Sequence, residues 1–556
     1  MVAPSEVHRE QRPGLSRHRH PQGGAISVMA AGMLILAIMM LALTVDTARL
    51  LNEQRQLGTA ADAAALAAID SFSQGPAKGD PEVARQSGRS LAGQNVAGVD
   101  DVSFEFGRVD TRNGLREFSA DGSGLAIKAI AENQTPFSIV ANWLLPGQAS
   151  LRAESVAFRP RVTTLSVGSS LAALGSEDSF LLDALLGGLL GTDLNLDLVS
   201  YNALANTRIQ LIELVELQPG VGTVAELLDA RISLADLVSL TARAVGNDML
   251  AEVALTQIGA SGINPALDLR MGDLFSISQG AEAGALGASV DAFSLLQLGA
   301  QVANEGNLID LQLDTSGGLL AGLGLLDLNL TLNIIEAPEI AIGPAGRNQQ
   351  GEWLTQAQTG QLQLRADLQA VDIDVLSLVG VSLGAGIEIA TATATAQVED
   401  VTLEQGQEVV RVGAQSSVAT VDANVDLELQ LLALIGGGIP VGVGIPASLS
   451  LDGAQQTLLF SAPFGDSAIQ GVGVPLGPAL RNDFVDELAL ELSLGLGDTA
   501  FPVPLPLNGI VNVAGDVVGG VITVVLDPLL SVLGTELGAA DVQVHSVNAG
   551  ASTLIQ

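Results

Sequence analysis

Side chains able to do chemistry are few in this 556-residue chain and widely scattered. Of four histidines, His8, His18 and His20 fall in the first 20 residues, and His545 stands by itself in the run D-V-Q-V-H-S-V. A histidine-based triad beyond the first 20 residues could therefore use only His545, and a lone histidine in such a run is ordinarily a surface or satisfied residue. No cysteine is present, which removes disulfides, zinc–thiolate sites, iron–sulfur clusters and thiol nucleophiles. There is no G-x-S-x-G nucleophile motif. Lysine occurs only at 78 and 128 and in no phosphate-loop motif, which excludes ATP hydrolysis by that route. The glycines of Gly471–Gly477 have the wrong spacing for a dinucleotide loop.

Carboxylates are the remaining chemistry. Asp193/Asp197, Asp372/Asp374 and Asp422/Asp426/Glu428 are closely spaced. On a strand, residues i and i+2 face one side. Two carboxylates placed so could hold Ca²⁺ or serve glycoside hydrolysis. The plainer reading is a wetted face opposite Leu and Val, and no EF-hand spacing supports the other. The expectation is no catalytic residue, no metal ligand and no cofactor.

The elements that position these residues begin with a greasy helix. No charge lies between Arg19 and Asp46, and Ala25–Val45 is apolar throughout. At 1.5 Å per residue it spans about 30 Å, the thickness of a hydrocarbon core. It is longer than the ~7–15-residue apolar core of a cleaved signal peptide, and no small-x-small cleavage site follows, so a retained anchor is expected. Arg9, Arg12, Arg17 and Arg19 precede it, whereas Asp46, Arg49, Glu53 and Arg55 balance after it. The positive-inside rule then leaves the first residues in the cytoplasm and 46–556 outside. Leu429–Leu451 is also uncharged, but its glycines, prolines and alternation read as strand, turn and strand.

Asp46–Ser71 is rich in good helix formers, so one helix is expected over 24–71, broken by Ser73–Pro81. Ser103–Val109, Leu125–Ala131, Phe137–Ala141 and Ser150–Phe158 read as strands. Phe180–Leu190, Val224–Asp229, Leu234–Val245 and Asp248–Ile258 read as helices, with Ser233 and Asn247 as caps of the last two and a Leu194–Leu198 strand before them. Ile309–Leu313, Leu326–Ile335, Leu362–Leu368, Val381–Leu403, Val409–Leu427 and Leu449–Leu459 alternate as strands do; Asp516–Leu533 and Asp541–Val547 suggest a helix or strand pair. The fold class expected is α+β: a long N-terminal transmembrane helix, a small pilin-like antiparallel sheet, a helical segment and a large β-rich region. The divisions expected are a basic tail over 1–23, the helix over 24–71, a strand-rich domain over 72–161, a helical segment over 162–280 and an acidic β-rich domain over 281–556.

Charge is uneven. Residues 1–161 are balanced, and the whole net −37 lies beyond them. Such a surface repels nucleic acid and anionic headgroups. A solvated acidic face explains it, and divalent-cation binding is the alternative.

Within the first 70 residues, Gly24, Ala25 and Ile26 open the apolar helix; Asp46, Arg49 and Leu50 follow it; then come Leu57 and the run Ala60, Ala61, Asp62, Ala63 through Leu66. In this order they resemble the N-terminal segment of TadG-like Flp pilus-assembly proteins. The resemblance implies an inner-membrane protein with a periplasmic bulk and protein partners in a pilus-assembly machine. Two features depart from related patterns. Counting from Ala25, position five is Met29 rather than the Glu of processed pseudopilins, which speaks against cleavage at Gly24. Asp314–Gly318 and Asp121–Leu125 each lack the last Ser of a von Willebrand-type metal motif and read as turns. The function expected is a non-enzymatic assembly or structural protein of the envelope; the alternatives are a tethered adhesin or Ca²⁺-dependent module and, third, a tethered hydrolase using paired carboxylates.

Overall fold

The computed structural model describes residues 23–73, 78–95, 101–112, 115–122, 124–139, 147–168, 179–246, 248–313, 327–348, 350–369, 372–375, 379–404, 407–431, 439–451, 453–465, 469–473, 517–533 and 539–555. Gly23–Ser73 form one helix, α1, of 51 residues. It is about 76 Å long at the α-helical rise. Its first part is apolar on every side and exposed; from Leu57 onward one stripe turns inward.

A second helix, α2 (Pro81–Asn95), packs along α1 and was not evident in the sequence. Its start is marked all the same: Asp80 Oδ1 accepts the Glu82 N–H at 2.8 Å, and Pro81 occupies the first turn, where a missing N–H costs nothing. Behind the helices lie β1 (Asp101–Arg112), β2 (Leu115–Ser119), β3 (Ala126–Pro136) and β4 (Gln148–Phe158). They form an antiparallel sheet in the order β2-β1-β3-β4, and Thr553–Ile555 adds a fifth strand on the free edge of β4. The Phe137–Ala141 strand does not form in its described part: Pro136 ends β3 and residues 137–139 turn away.

β5 (Arg161–Val167) leaves this sheet and enters another, between Ala539–Ala549 and Ile340–Pro344. The helices expected over 179–260 are present as Ser179–Leu190, Val224–Asp229, Leu234–Ala244 and Met249–Ala260. Ser233 caps the third as expected. The fourth is capped by Asp248, whose carboxylate accepts the Leu250 and Ala251 N–H groups, while Asn247 lies outside the described residues. The Leu194–Leu198 strand is absent. Asp197 instead caps a helix, Leu198–Asn206, and the Leu196 N–H donates to Asp183 Oδ1 at 3.0 Å. Helices Leu211–Leu217 and Ala292–Ala303 complete the cluster.

Beyond residue 307 the strands alternate cleanly. Leu308–Gln312, Asp327–Glu336, Gln361–Gln369, Val379–Thr391, Ala419–Leu431 and Ile439–Leu451 make an antiparallel seven-stranded sheet, with Asp372–Val375 beside the fourth of these. Leu362, Leu364, Ala366 and Leu368 are buried while Arg365 is exposed. The runs 381–403 and 409–427 each divide between this sheet and a four-stranded one containing Thr395–Glu404, Gln407–Gln415 and Gln455–Ser461. At both crossings the buried positions keep a period of two but shift by one residue, from Thr391 to Ala394 and from Ser416 to Ser417, with Ala392 and Val418 exposed. Leu429–Leu451 is a strand pair, Leu431 opposite Ile439. Residues 517–532 are helical, with a π-helical stretch at Ile522–Leu526. This helix shares one large core with the 179–303 helices and the seven-stranded sheet.

Candidate functional site: the anchor helix and its docking sheet

Along the last half of α1, Leu57, Ala60, Ala61, Ala64, Ala65, Ala68, Ile69 and Phe72 are buried. Their spacing of three and four draws one stripe along the helix. The stripe meets Val102, Ile127, Ala129, Ala131, Ala153 and Ala157 of the sheet. Alanine on both sides allows backbone to come close to backbone. Where α2 crosses, Gly88 leaves no room even for a methyl group: a Cβ there would lie 2.8 Å from the Ala64 carbonyl oxygen.

Polar groups set the register along this stripe. Arg49 Nη1 donates to Thr135 Oγ1 at 2.9 Å and to Glu53 Oε1 at 3.2 Å, and its Nη2 donates to the Pro136 carbonyl. Asp46 accepts the Ile139 N–H at 3.0 Å and the Ser138 hydroxyl. Further along, Gln54 donates to the Arg152 carbonyl at 2.8 Å. At the far end Asp70 accepts from Arg159 at 2.9 Å and from the Ser552 hydroxyl.

Of the residues singled out by sequence, Leu57, Ala60 and Ala61 lie on the buried stripe, and Leu50, Asp62, Ala63 and Leu66 flank it half-buried. Asp46 and Arg49 make the ties to β3 and the residues after it. Gly24 and Ala25 lie in the first turn of α1, and Ile26 begins the exposed apolar stretch. Over 18 residues of this helix the mean hydropathy is 2.6 with nothing packed against them, so it is long and apolar enough to cross a membrane. The motif Asp314–Gly318 lies outside the described residues, as does Ser123.

The acidic pairs behave as a wetted surface where described. Asp422 and Asp426 are exposed on a strand whose Val421, Ala423 and Val425 are buried. Asp197 serves its helix terminus. The side chains of Asp372, Asp374 and Glu428 are not among the described ones. Among the described residues no group of three or more His, Asp or Glu could hold a metal ion.

Sequence reasoning missed the surroundings of His545. It is buried at a bulge between Val544 and Ser546, sharing a 2.7 Å hydrogen bond with Ser166 Oγ through Nε2. Its Nδ1 is 3.9 Å from Asp291 Oδ2, beyond hydrogen-bond reach. The order Ser–His–Asp is that of a hydrolase triad, but the chemistry is unfavourable. Burial first, then Arg208, pushes the imidazole down to about 3, so it resists the proton a general base must take. The Ser166–His545 bond instead ties β5 to strand Ala539–Ala549, beside Asp291, which caps the helix Ala292–Ala303.

Burial, partly offset by the Ser294 N–H, pushes Asp291 from 3.8 up to about 6. A carboxyl raised in the folded state contributes stability that is full below about 3.8 and lost as pH rises through about 6. Asn caps helices as well as Asp. Asp291→Asn is therefore expected to gain up to ~3 kcal/mol on the native protein between pH 4 and pH 7. His545 titrates in both proteins, so its own contribution drops from the difference. Denaturant titrations of the pair at the two pH values check this; a pH-independent difference would contradict the burial argument.

A helix whose apolar half is bare and whose alanine-faced half is clamped to a small sheet, in a protein of mixed helix and strand, fits single-pass membrane anchoring. Residues 24–79 match the family model described as putative Flp pilus-assembly TadE/G-like. Residues 178–301 match a second model, a domain of unknown function (DUF8293). Their span runs from the first to the last of the helices in the cluster. No curated protein and no solved structure matches the chain.

Proposed function

We propose that this protein is a non-enzymatic, single-pass component of Flp/Tad-type pilus assembly, held in the bacterial inner membrane by α1 with residues 46–556 in the periplasm. The observation that carries the reading is the coincidence of the TadE/G-like match over 24–79 with the helix that is bare over 26–45 and clamped from 46 onward. The motif residues then have a mechanical role. Asp46 and Arg49 fix the outer end of the anchor to β3 and the turn after it, and the alanine stripe lays the rest of α1 on the sheet. The orientation rests on the arginines before the anchor. We further propose the divisions at 23, 71 and 161 as boundaries, with the acidic strand-rich region as the surface offered to protein partners.

A deletion strain tests this directly. Loss of surface pili, restored by the full-length protein and not by a form lacking residues 24–45, is the expected result. Normal piliation in the deletion strain would refute the assembly role.

A further inference from the structure

Where α1 leaves its apolar stretch, residues 135–139, at the end of β3 and just after it, are tied against it. The ties from Asp46 to Ser138 and Ile139, and from Arg49 to Thr135 and Pro136, bury Asp46 and Ser138 to 7% exposure. The same ties leave Phe137 55% and Ile139 64% exposed. The Phe137 N–H donates to the Gly147 carbonyl at 3.0 Å, which closes the base of the connection to β4 and holds Phe137 in place. Two large apolar side chains are thus held in the open beside the turn of α1 that follows Leu43 and Val45, themselves 69% and 50% exposed.

That arrangement needs a cover. A Phe or Ile side chain left in water forgoes about 1.5–3 kcal/mol relative to burial. The bare surface of α1 runs without a charge up to Val45, and Ile139 is bonded to the very next residue, so the two apolar surfaces join. Phe, like Trp and Leu, is a residue that membrane-surface segments bury at the boundary between headgroups and acyl chains. Asp46, the acid that follows Val45, has both oxygens engaged by donors, which satisfies its acceptors at the boundary where headgroups and water still reach.

We propose that Phe137 and Ile139 insert into the interfacial layer of the bilayer that α1 crosses, making residues 137–139 a second membrane contact. It rests on the reading of α1 as an anchor. The occupant is the phospholipid headgroup–acyl boundary on the side where α1 emerges. A helix alone can slide and rotate in a bilayer. A second contact, rigidly bonded to Asp46 and Arg49, fixes both its depth and its rotation, and so sets how the sheet stands on the membrane.

The absence of cysteine makes the test clean, since a single introduced cysteine takes the only label. Phe137→Cys, Ile139→Cys, Met33→Cys and Leu308→Cys are made in the full chain and labelled with an environment-sensitive fluorophore. Each is reconstituted into phosphatidylcholine–phosphatidylglycerol vesicles carrying lipids spin-labelled near the headgroup or deep in the acyl chain. Shallow spin labels are expected to quench positions 137 and 139 several-fold more than Leu308→Cys, a site that is 74% exposed on the seven-stranded sheet. Deep spin labels are expected to quench position 33. Quenching at 33 with none at 137 and 139 overturns the second contact and leaves the anchor standing. No quenching at 33 overturns the anchor reading itself.

Discussion

Removing residues 26–45 is expected to move the protein from the membrane pellet to the soluble fraction with the rest of its fold intact. These residues touch little else: Ile26 is 70% exposed, Met33 66% and Leu41 65%. Their loss therefore costs the folded part almost no packing. In a bilayer they are the driving force. The segment holds nine Leu, Ile or Val residues, each favouring insertion by about 0.3–0.6 kcal/mol at the centre of a spanning helix. Arginine at 36 and 40 would reverse that balance by about 2.5–3.5 kcal/mol per residue. Washed-membrane fractionation of the deletion and of the double Arg variant reads the outcome. A deletion protein that still pellets and resists carbonate extraction would show that another part of the chain holds the membrane.

Glu408→Ala is expected to give the largest loss of stability from a single substitution. Glu408 is buried and lies 2.9 Å from Lys78 Nζ and 3.5 Å from Arg161 Nη1. Arg161 is itself inside, and burial lowers its guanidinium while the Glu408 charge opposes that. Removing the carboxylate strands a buried cation, a change that costs roughly 3–5 kcal/mol. The three residues come from just beyond α1, from β5 and from strand Gln407–Gln415, so the loss should loosen all three together. Native-state hydrogen exchange at 161–167 and 407–415 measures it. Unchanged protection in both strands would mean that the carboxylate adds nothing to the junction.

How much of this was legible beforehand depended on distance along the chain. α1 was plain because one uncharged stretch and one alanine run exceed any competing local signal. Its buried stripe could be read from Leu57, Ala60 and Ala61, which repeat at helical spacing. α2 was hidden because its Gly88 and Gly93 weaken the helical pattern, although Asp80 and Pro81 announce a helix start. The run L-N-L-D-L alternates like a strand, yet its Asp is a helix cap, and a cap interrupts any ladder. The crossings between the two large sheets were not seen, since strands on either side share one period and differ only by a one-residue shift of phase. The Ser166–His545–Asp291 cluster was beyond reach for a simpler reason: Ser166 and His545 are 379 positions apart, and only the fold brings them together.

Strand Thr553–Ile555, paired with β4 across nearly the whole chain, has a consequence for biogenesis. A nascent polypeptide displays the Val156–Phe158 stretch of β4's outer border to its surroundings until about four hundred further residues have been translated. Unpaired strand borders recruit other chains. Products cut short anywhere in that interval would carry a sticky flank at the end of the sheet far from the anchor's apolar stretch, and clearing them promptly would fall to the cell's proteases.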